Sequence, residues 1–203
     1  MEHAEEKDWP SRMLDEQRQL WIDAFSHARH DWLNDLQMII GYVQLRKYDK
    51  LTACVDMLKQ RMAEESRTSK LGSPGLVEAL LTVRARVRPF AFKLSIEERF
   101  QMRAGAQGPE TAELAVRRLL AGFEEASEKG ERGADNALTC AFSNEQADTA
   151  IAFTYEGAYS ASVLRRTVGD LKKQLRLTAP ACSLSASYDA EEARVVIRLP
   201  GAL

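Results

Sequence analysis

The chain has 203 residues, 45% of them apolar, with 28 Lys and Arg against 30 Asp and Glu and a formal net charge of −2. That length holds one ordinary domain, or a helical element plus a compact domain, and the apolar share supplies a core. The near-neutral balance without basic blocks excludes a nucleic-acid binder working by phosphate neutralisation, and no run approaches the ~20 apolar residues of a membrane span.

The first residues, MEHAEEKDWP, are acidic and polar, unlike a secretion signal, which points to the cytoplasm. Residues 1–13 are expected to form a flexible N-terminus. From about Leu14 to Arg46 there is no proline, and Leu14, Ile22, Phe25, Leu33, Leu36, Ile40 and Val43 recur at helical spacing. This predicts one long helix. A polar break at Lys47–Lys50 leads to a second helical run carried by Leu51, Val55, Leu58 and Met62. So short a break favours an antiparallel hairpin over residues 14–72. A hairpin with a wide apolar face cannot bury that face against itself, so pairing with a second copy into a dimeric four-helix bundle is its simplest solution.

Gly72, Ser73, Pro74 and Gly75 form the clearest breaker cluster and set the domain boundary, with residues 73–203 as the second domain. Beyond it, the pattern predicts a helix over 76–88, a strand over 92–97 and a helix over 110–129 opened by Pro109. Strands over 137–142 and 149–155 follow, then a helix over 159–175 and a hairpin of strands 183–188 and 194–199 around the acidic turn at 189–192. The fold class is therefore α plus α/β: an N-terminal helical hairpin followed by an α/β sandwich domain. Cys54, Cys140 and Cys182 are far apart and lack C-x-x-C spacing, so they read as buried reduced thiols.

Chemistry at neutral pH narrows to three histidines, of which His3 lies near the terminus and His27 one turn before His30. At about 100° per residue, His30, Asn34, Gln37 and Gly41 fall in one narrow sector, away from the apolar stripe. A mid-helix glycine costs about 1 kcal/mol relative to alanine. Gly41 fits either a partner backbone approaching beside His30 or plain tolerance on an exposed face. An exposed neutral imidazole can attack phosphorus and form a covalent intermediate. Asp31 is a candidate to accept a hydrogen bond from the ring or to orient it, and Asn34 to position a water or the incoming phosphoryl group. Spacing alone does not set such a histidine apart from a solvated surface residue.

The run as a whole does: His30-Asp31-Trp32-Leu33-Asn34-Asp35-Leu36-Gln37 resembles the phosphoacceptor box, H-D-x-x-N-x-L-Q, of the sporulation initiation phosphotransferase B family and the related citrate/fumarate-type sensor kinases. The resemblance continues through Ile40-Gly41 and Leu45-Arg46-Lys47-Tyr48-Asp49, covers roughly residues 26–50, and beyond them holds only in the order of elements. It implies that His30 is phosphorylated, that the hairpin dimerises, and that the second domain is similar to a histidine-kinase ATPase domain that no longer binds ATP.

A kinase of that class needs an asparagine box and glycine-rich loops to hold the triphosphate and its magnesium. Residues 113–129 contain no asparagine, and no two glycines in the chain are separated by a single residue. Gly105, Gly108, Gly130 and Gly133 read as turn residues, and Glu124 and Glu125 as a solvated face. The expectation is a relay phosphotransferase in sporulation initiation that binds no cofactor or metal itself. A phosphorylated single-domain receiver, bringing its own Mg²⁺, donates to His30, and a receiver carried by a transcription-factor response regulator accepts. Asn34, Gln37, Met38, Gly41 and Tyr42 are the candidate receiver contacts, and Leu33, Leu36, Ile40 and Val43 the bundle core. The alternatives are a sensor-kinase-like histidine kinase with a divergent ATP site, a non-catalytic dimeric scaffold, and a phosphatase in which Asn34 positions water.

Overall fold

A computed structural model describes residues 9–69, 71–85, 89–103, 105, 108–130 and 135–201, without the side chains of 9–14, 16, 17, 20, 24, 84 and 85. Clustering of contacts divides the chain into two compact units, one running through Ala63 and joined by Leu81–Arg86, the other formed by Glu64–Leu80 and Val87–Leu203.

The first unit is built on α1 (Trp9–Gln44) and most of α2 (Tyr48–Thr68). Helix α1 starts at Trp9, five residues before the expected Leu14, with Pro10 in its first turn, where a missing N–H costs nothing. Residues 1–8, including His3, lie outside the described part, as does the side chain of Leu14. The connection is Leu45–Lys47, because Tyr48 already belongs to α2. Arg46 closes α1 in the left-handed region at φ 53°, and Lys47 N–H returns to the Tyr42 carbonyl at 3.0 Å. Glycine is the usual residue at such a helix end. Arg46→Gly is therefore expected to stabilise the hairpin by about 0.5–1 kcal/mol, read as a raised urea midpoint at unchanged m and fixed protein concentration.

The side chains that lose exposure in this unit are not those of the apolar stripe. On α1 they include Asp35, Ile39 and Tyr42; on α2, Leu51, Cys54, Leu58 and Arg61. Asp35 is 9% exposed and accepts a hydrogen bond from Arg61 Nη1 at 2.8 Å, a cross-hairpin ion pair that fixes the register of α2 on α1. Met62, expected on the buried face of α2, is 68% exposed. Leu33, Leu36, Ile40 and Val43 are 48–53% exposed, and Ile22 and Phe25 extend their stripe toward the N-terminus.

The second unit contains the start of α3 (Pro74–Ala85), then β1 (Ala91–Ile96), α4 (Gly108–Glu128), β2 (Ala137–Glu145), β3 (Asp148–Glu156), α5 (Ala161–Thr178), β4 (Ser183–Tyr188) and β5 (Glu192–Leu199). Every expected element is present. Residues 86–88, the expected end of the helix from 76, lie outside the described part. The strands form one sheet in the order β1-β2-β3-β5-β4. β1 and β2 are parallel and joined through α4, as a parallel crossover requires, while the other pairs are antiparallel.

Alternation in β2 buries Leu138, Cys140 and Phe142, and β3 adds Ile151, Phe153 and Tyr155. Phe123 of α4 is fully buried and stacks on Phe153 and Tyr155 at centroid distances of 5.9 and 5.8 Å. Tyr155 Oη lies 2.7 Å from Ser127 Oγ and 3.0 Å from the Ala158 carbonyl, tying the last turn of α4 to the sheet. At the start of α3, Leu76 N–H donates to the Ser73 hydroxyl, which in turn donates to Glu113 of α4 at 2.7 Å. Helix α3 is thus capped and fastened to α4 by the same side chain.

Candidate functional site

Helix α1 presents three faces around His30. Taking about 100° per residue, the exposed stripe of Ile22, Leu33, Leu36 and Ile40 lies about 60–120° to one side, and Asp35 lies about 140° to the other, toward α2. Between them His30, Asn34 and Gln37 are exposed, and Gly41 is half-buried. A Cβ built on Gly41 meets no atom within 4 Å, so nothing described in this chain requires glycine there. The position is open to a close approach from outside.

Asn34 and His30 are in contact, with Asn34 Nδ2 3.1 Å from His30 Nδ1. Residues four apart on a helix lie one above the other, and an imidazole and a carboxamide are the right lengths to meet there. The neighbouring carboxylate is not brought to the ring. Asp31 is exposed and points about 100° away from His30, and no hydrogen bond joins the two among the described residues. Gln37 sits about 20° from His30, while Met38, 39% exposed, is about 80° round. Tyr42 is half-buried and lies about 20° from Asp35, which places it toward α2 rather than on the histidine face.

Periodicity did not single out the Asp35–Arg61 pair. The signal was there in part: Asp35 shares the helix face of Ile39 and Tyr42, so an acid on that side needed a cation, and Arg61 falls on the matching face of α2. Trp32 (59% exposed), Leu45 (63%) and Tyr48 (62%) are further exposed large side chains on this unit.

Among its described residues the α/β unit offers no comparable nucleophile. Burial pushes the Cys140 thiol far above its usual range, keeping it protonated, and raises that of Cys182, which is half-buried rather than fully buried as expected. Glu125 is held below the usual carboxylate range by hydrogen bonds from Lys129 and Arg166, the latter at 2.9 Å, so its charge is already partnered. It lines a groove of about 450 Å³ between α4 and α5 with Arg118, Gly122, Thr167 and Asp170. Among the described residues no group of three or more His, Cys, Asp or Glu side chains is placed to hold a metal, and no helix is long and apolar enough to cross a membrane.

Residues 12–71, which contain the whole histidine face, match the family model described as Sensor_kinase_SpoOB-type, alpha-helical domain. The match covers the helical N-terminal segment and not the residues beyond it. Over 61 residues the chain is 38% identical to Sporulation initiation phosphotransferase B of Bacillus subtilis (strain 168), a match covering 30% of this chain. It spans about a third (32%) of that relative's length.

Among solved structures, the chain is similar to a histidine kinase from Burkholderia phymatum STM815 (TM-score 0.47, 15% identity, 100% of both chains). It is also similar to the catalytic domain of histidine kinase ThkA (TM-score 0.46, 10% identity, 63% of this chain and 90% of that one). At these scores the second unit stands on its own strand order: a mixed five-stranded sheet with helices.

Proposed function

We propose that this chain is a phosphorelay phosphotransferase of sporulation initiation. His30 takes a phosphoryl group from the aspartate of a single-domain receiver and yields it to the aspartate of a second receiver carried by a transcription-factor response regulator. The observation that carries this reading is an exposed imidazole, contacted at Nδ1 by Asn34, in a segment of the SpoOB-type family. The relative named a phosphotransferase adds support through its 38% identity over 61 residues.

The acceptor must be reached by a folded partner, and the face of His30, Asn34, Gln37 and Gly41 leaves room for one; Met38 and Tyr42 border it. The exposed stripe of α1 supports a homodimer in which two hairpins form a four-helix bundle, with Leu33, Leu36, Ile40 and Val43 at its core. The α/β unit acts as a degenerate ATPase-like domain, in keeping with the absence of asparagine from residues 113–129 and the ion pairs already holding Glu125. The protein works in the cytoplasm, where receivers are found.

In the transfer, the His30 lone pair attacks phosphorus in line with the departing aspartyl oxygen through a loose transition state, and the P–O bonding pair leaves with the carboxylate. Magnesium bound by the receiver supplies charge neutralisation on the phosphoryl oxygens. Both the acyl phosphate and the phosphoramidate are activated, so the step runs in either direction.

Incubation with radiolabelled, phosphorylated receiver domains tests the reading. Wild-type chain is expected to acquire acid-labile label, and His30→Ala to lose it by at least about 10³-fold. No label on wild type from any receiver, or equal label on His30→Ala, overturns the proposal. Label on His30 from ATP alone identifies a kinase instead.

A further inference from the structure

The contact that the structure makes to His30 is to Nδ1, and it comes from a carboxamide rather than a carboxylate. Asn34 lies 3.1 Å from that nitrogen, both residues are exposed, and Asp31 lies on another face of the helix. A neutral imidazole carries one proton on two nitrogens, and only the nitrogen without the proton has a lone pair to offer. Whatever partners Nδ1 therefore decides whether Nε2 is a nucleophile.

A carboxamide has a property that no carboxylate shares: one end donates and the other accepts, and a half-turn about its last torsion exchanges them in place. Nδ2 is the amide atom nearer the ring here; in that orientation Nδ1 has to accept, which calls for the proton on Nε2 and leaves the outward nitrogen without a free lone pair. With Oδ1 toward the ring, Nδ1–H donates and the Nε2 lone pair faces the partner.

We infer that Asn34 is a positioning residue that sets the tautomer of His30, its half-turn switching the ring between a resting and a nucleophilic form. This rests on His30 being the phosphoacceptor and deepens that reading. In the nucleophilic form, Nε2 attacks the receiver's aspartyl phosphate, the P–O bonding pair leaves with the carboxylate, and Nδ1 keeps its proton. Positive charge then develops on the ring, and the Nδ1–H···Oδ1 bond becomes charge-assisted and stronger. The stabilisation appears in the transition state more than in the ground state, so it accelerates transfer rather than merely tightening docking. In the reverse direction the same bond holds the ring while the phosphoryl group departs. Either state is set locally, by one side chain one helical turn away, without movement of the backbone.

The test reads protonation directly. The 203-residue chain with ¹⁵N-labelled histidine is examined by NMR at about pH 8.5, where an ordinary histidine is neutral, and His3→Gln and His27→Gln together assign the His30 signals by elimination. Asn34→Asp can only accept, so it is expected to drive His30 to the Nδ1–H form. Asn34→Leu, of similar size and without polar atoms, is expected to change the tautomer ratio from that of wild type. Initial rates of labelling by a saturating phosphorylated receiver should fall at least tenfold in Asn34→Leu.

Identical tautomer ratios in wild type, Asn34→Leu and Asn34→Asp overturn the inference even if all three are labelled, and leave the relay reading standing. Absence of label on wild type sinks the relay reading instead, while the tautomer measurement still reports on Asn34. Far-UV circular dichroism matching wild type confirms that each variant is folded, since both substitutions lie on an exposed face.

Discussion

If the proposed homodimer holds, the unaltered chain sediments as a pair, and Leu36→Asp combined with Ile40→Asp is expected to leave a 22.8 kDa monomer at micromolar concentration, measured by sedimentation velocity. Both side chains are 53% exposed in the single chain, on the stripe that runs from Ile22 to Val43. Stripes of this extent are normally covered, because each large aliphatic side chain gains about 1.5–3 kcal/mol when fully buried. Two-fold symmetry places four such side chains at one interface, so the double substitution removes on the order of 6 kcal/mol, about 10⁴-fold in association. The new carboxylates would also have to lose their water on pairing. His30 lies about 80–120° away from the two substituted positions, so its own surroundings in the monomer should be intact. A double variant that sediments as a dimer would show that another surface joins the copies.

Phe123→Ala is expected to lower the stability of the α/β unit by about 3–5 kcal/mol, a large part of the 5–15 kcal/mol typical of a domain. Phe123 is fully buried, and its ring lies parallel to both Phe153 and Tyr155, so its removal leaves a cavity against two rings that are themselves held by the sheet. Tyr155 cannot relax into the space without giving up its contacts to Ser127 and Ala158. The drop should appear as a fall of roughly 10 °C in the midpoint of the near-ultraviolet circular dichroism melt. A change below about 2 °C would mean that this stack does not carry the core.

Much of the architecture was legible because its signals are local. The alternation of Leu138, Cys140 and Phe142 marks a strand, Pro109 marks a helix start, and the acidic turn at 189–192 separates β4 from β5, whose register Tyr188↔Ala193 confirms a hairpin. The start of α1 was misplaced although Pro10 signalled it, since the apolar periodicity begins only at Leu14. Strand order was not legible, because the β3–β5 pairing joins residues far apart in sequence, such as Ile151 and Ile197.

Around His30, helical spacing puts Asn34, Gln37 and Gly41 in one sector, and the contact between His30 and Asn34 follows from their one-turn separation. It could not distinguish the two apolar faces of α1. Periodicity ranks side chains by hydropathy, whereas the side facing α2 is marked by an acid, Asp35, whose burial depends on Arg61, 26 residues away. Tyr42, half-buried, lies about 20° from Asp35 on that side. Chemistry makes Asp31 a candidate orienter, while adjacent residues on a helix point in different directions.

The sheet order also bears on how the chain reaches its fold. β2 with β3 and β4 with β5 are hairpins whose turns close over a few residues, so both can form early. The β1–β2 pairing, Ala91 with Ala137, and the β3–β5 pairing, Ile151 with Ile197, must each close about 46 residues of intervening chain before any contact compensates the lost entropy. Completion of the sheet is therefore the step expected to be slow, and α4 and α5 each shorten one of those two loops by the length of chain they wind up. The helical hairpin, with its cross-contact only 26 residues apart, closes a shorter loop, so the histidine face is expected to form with less delay than the sheet.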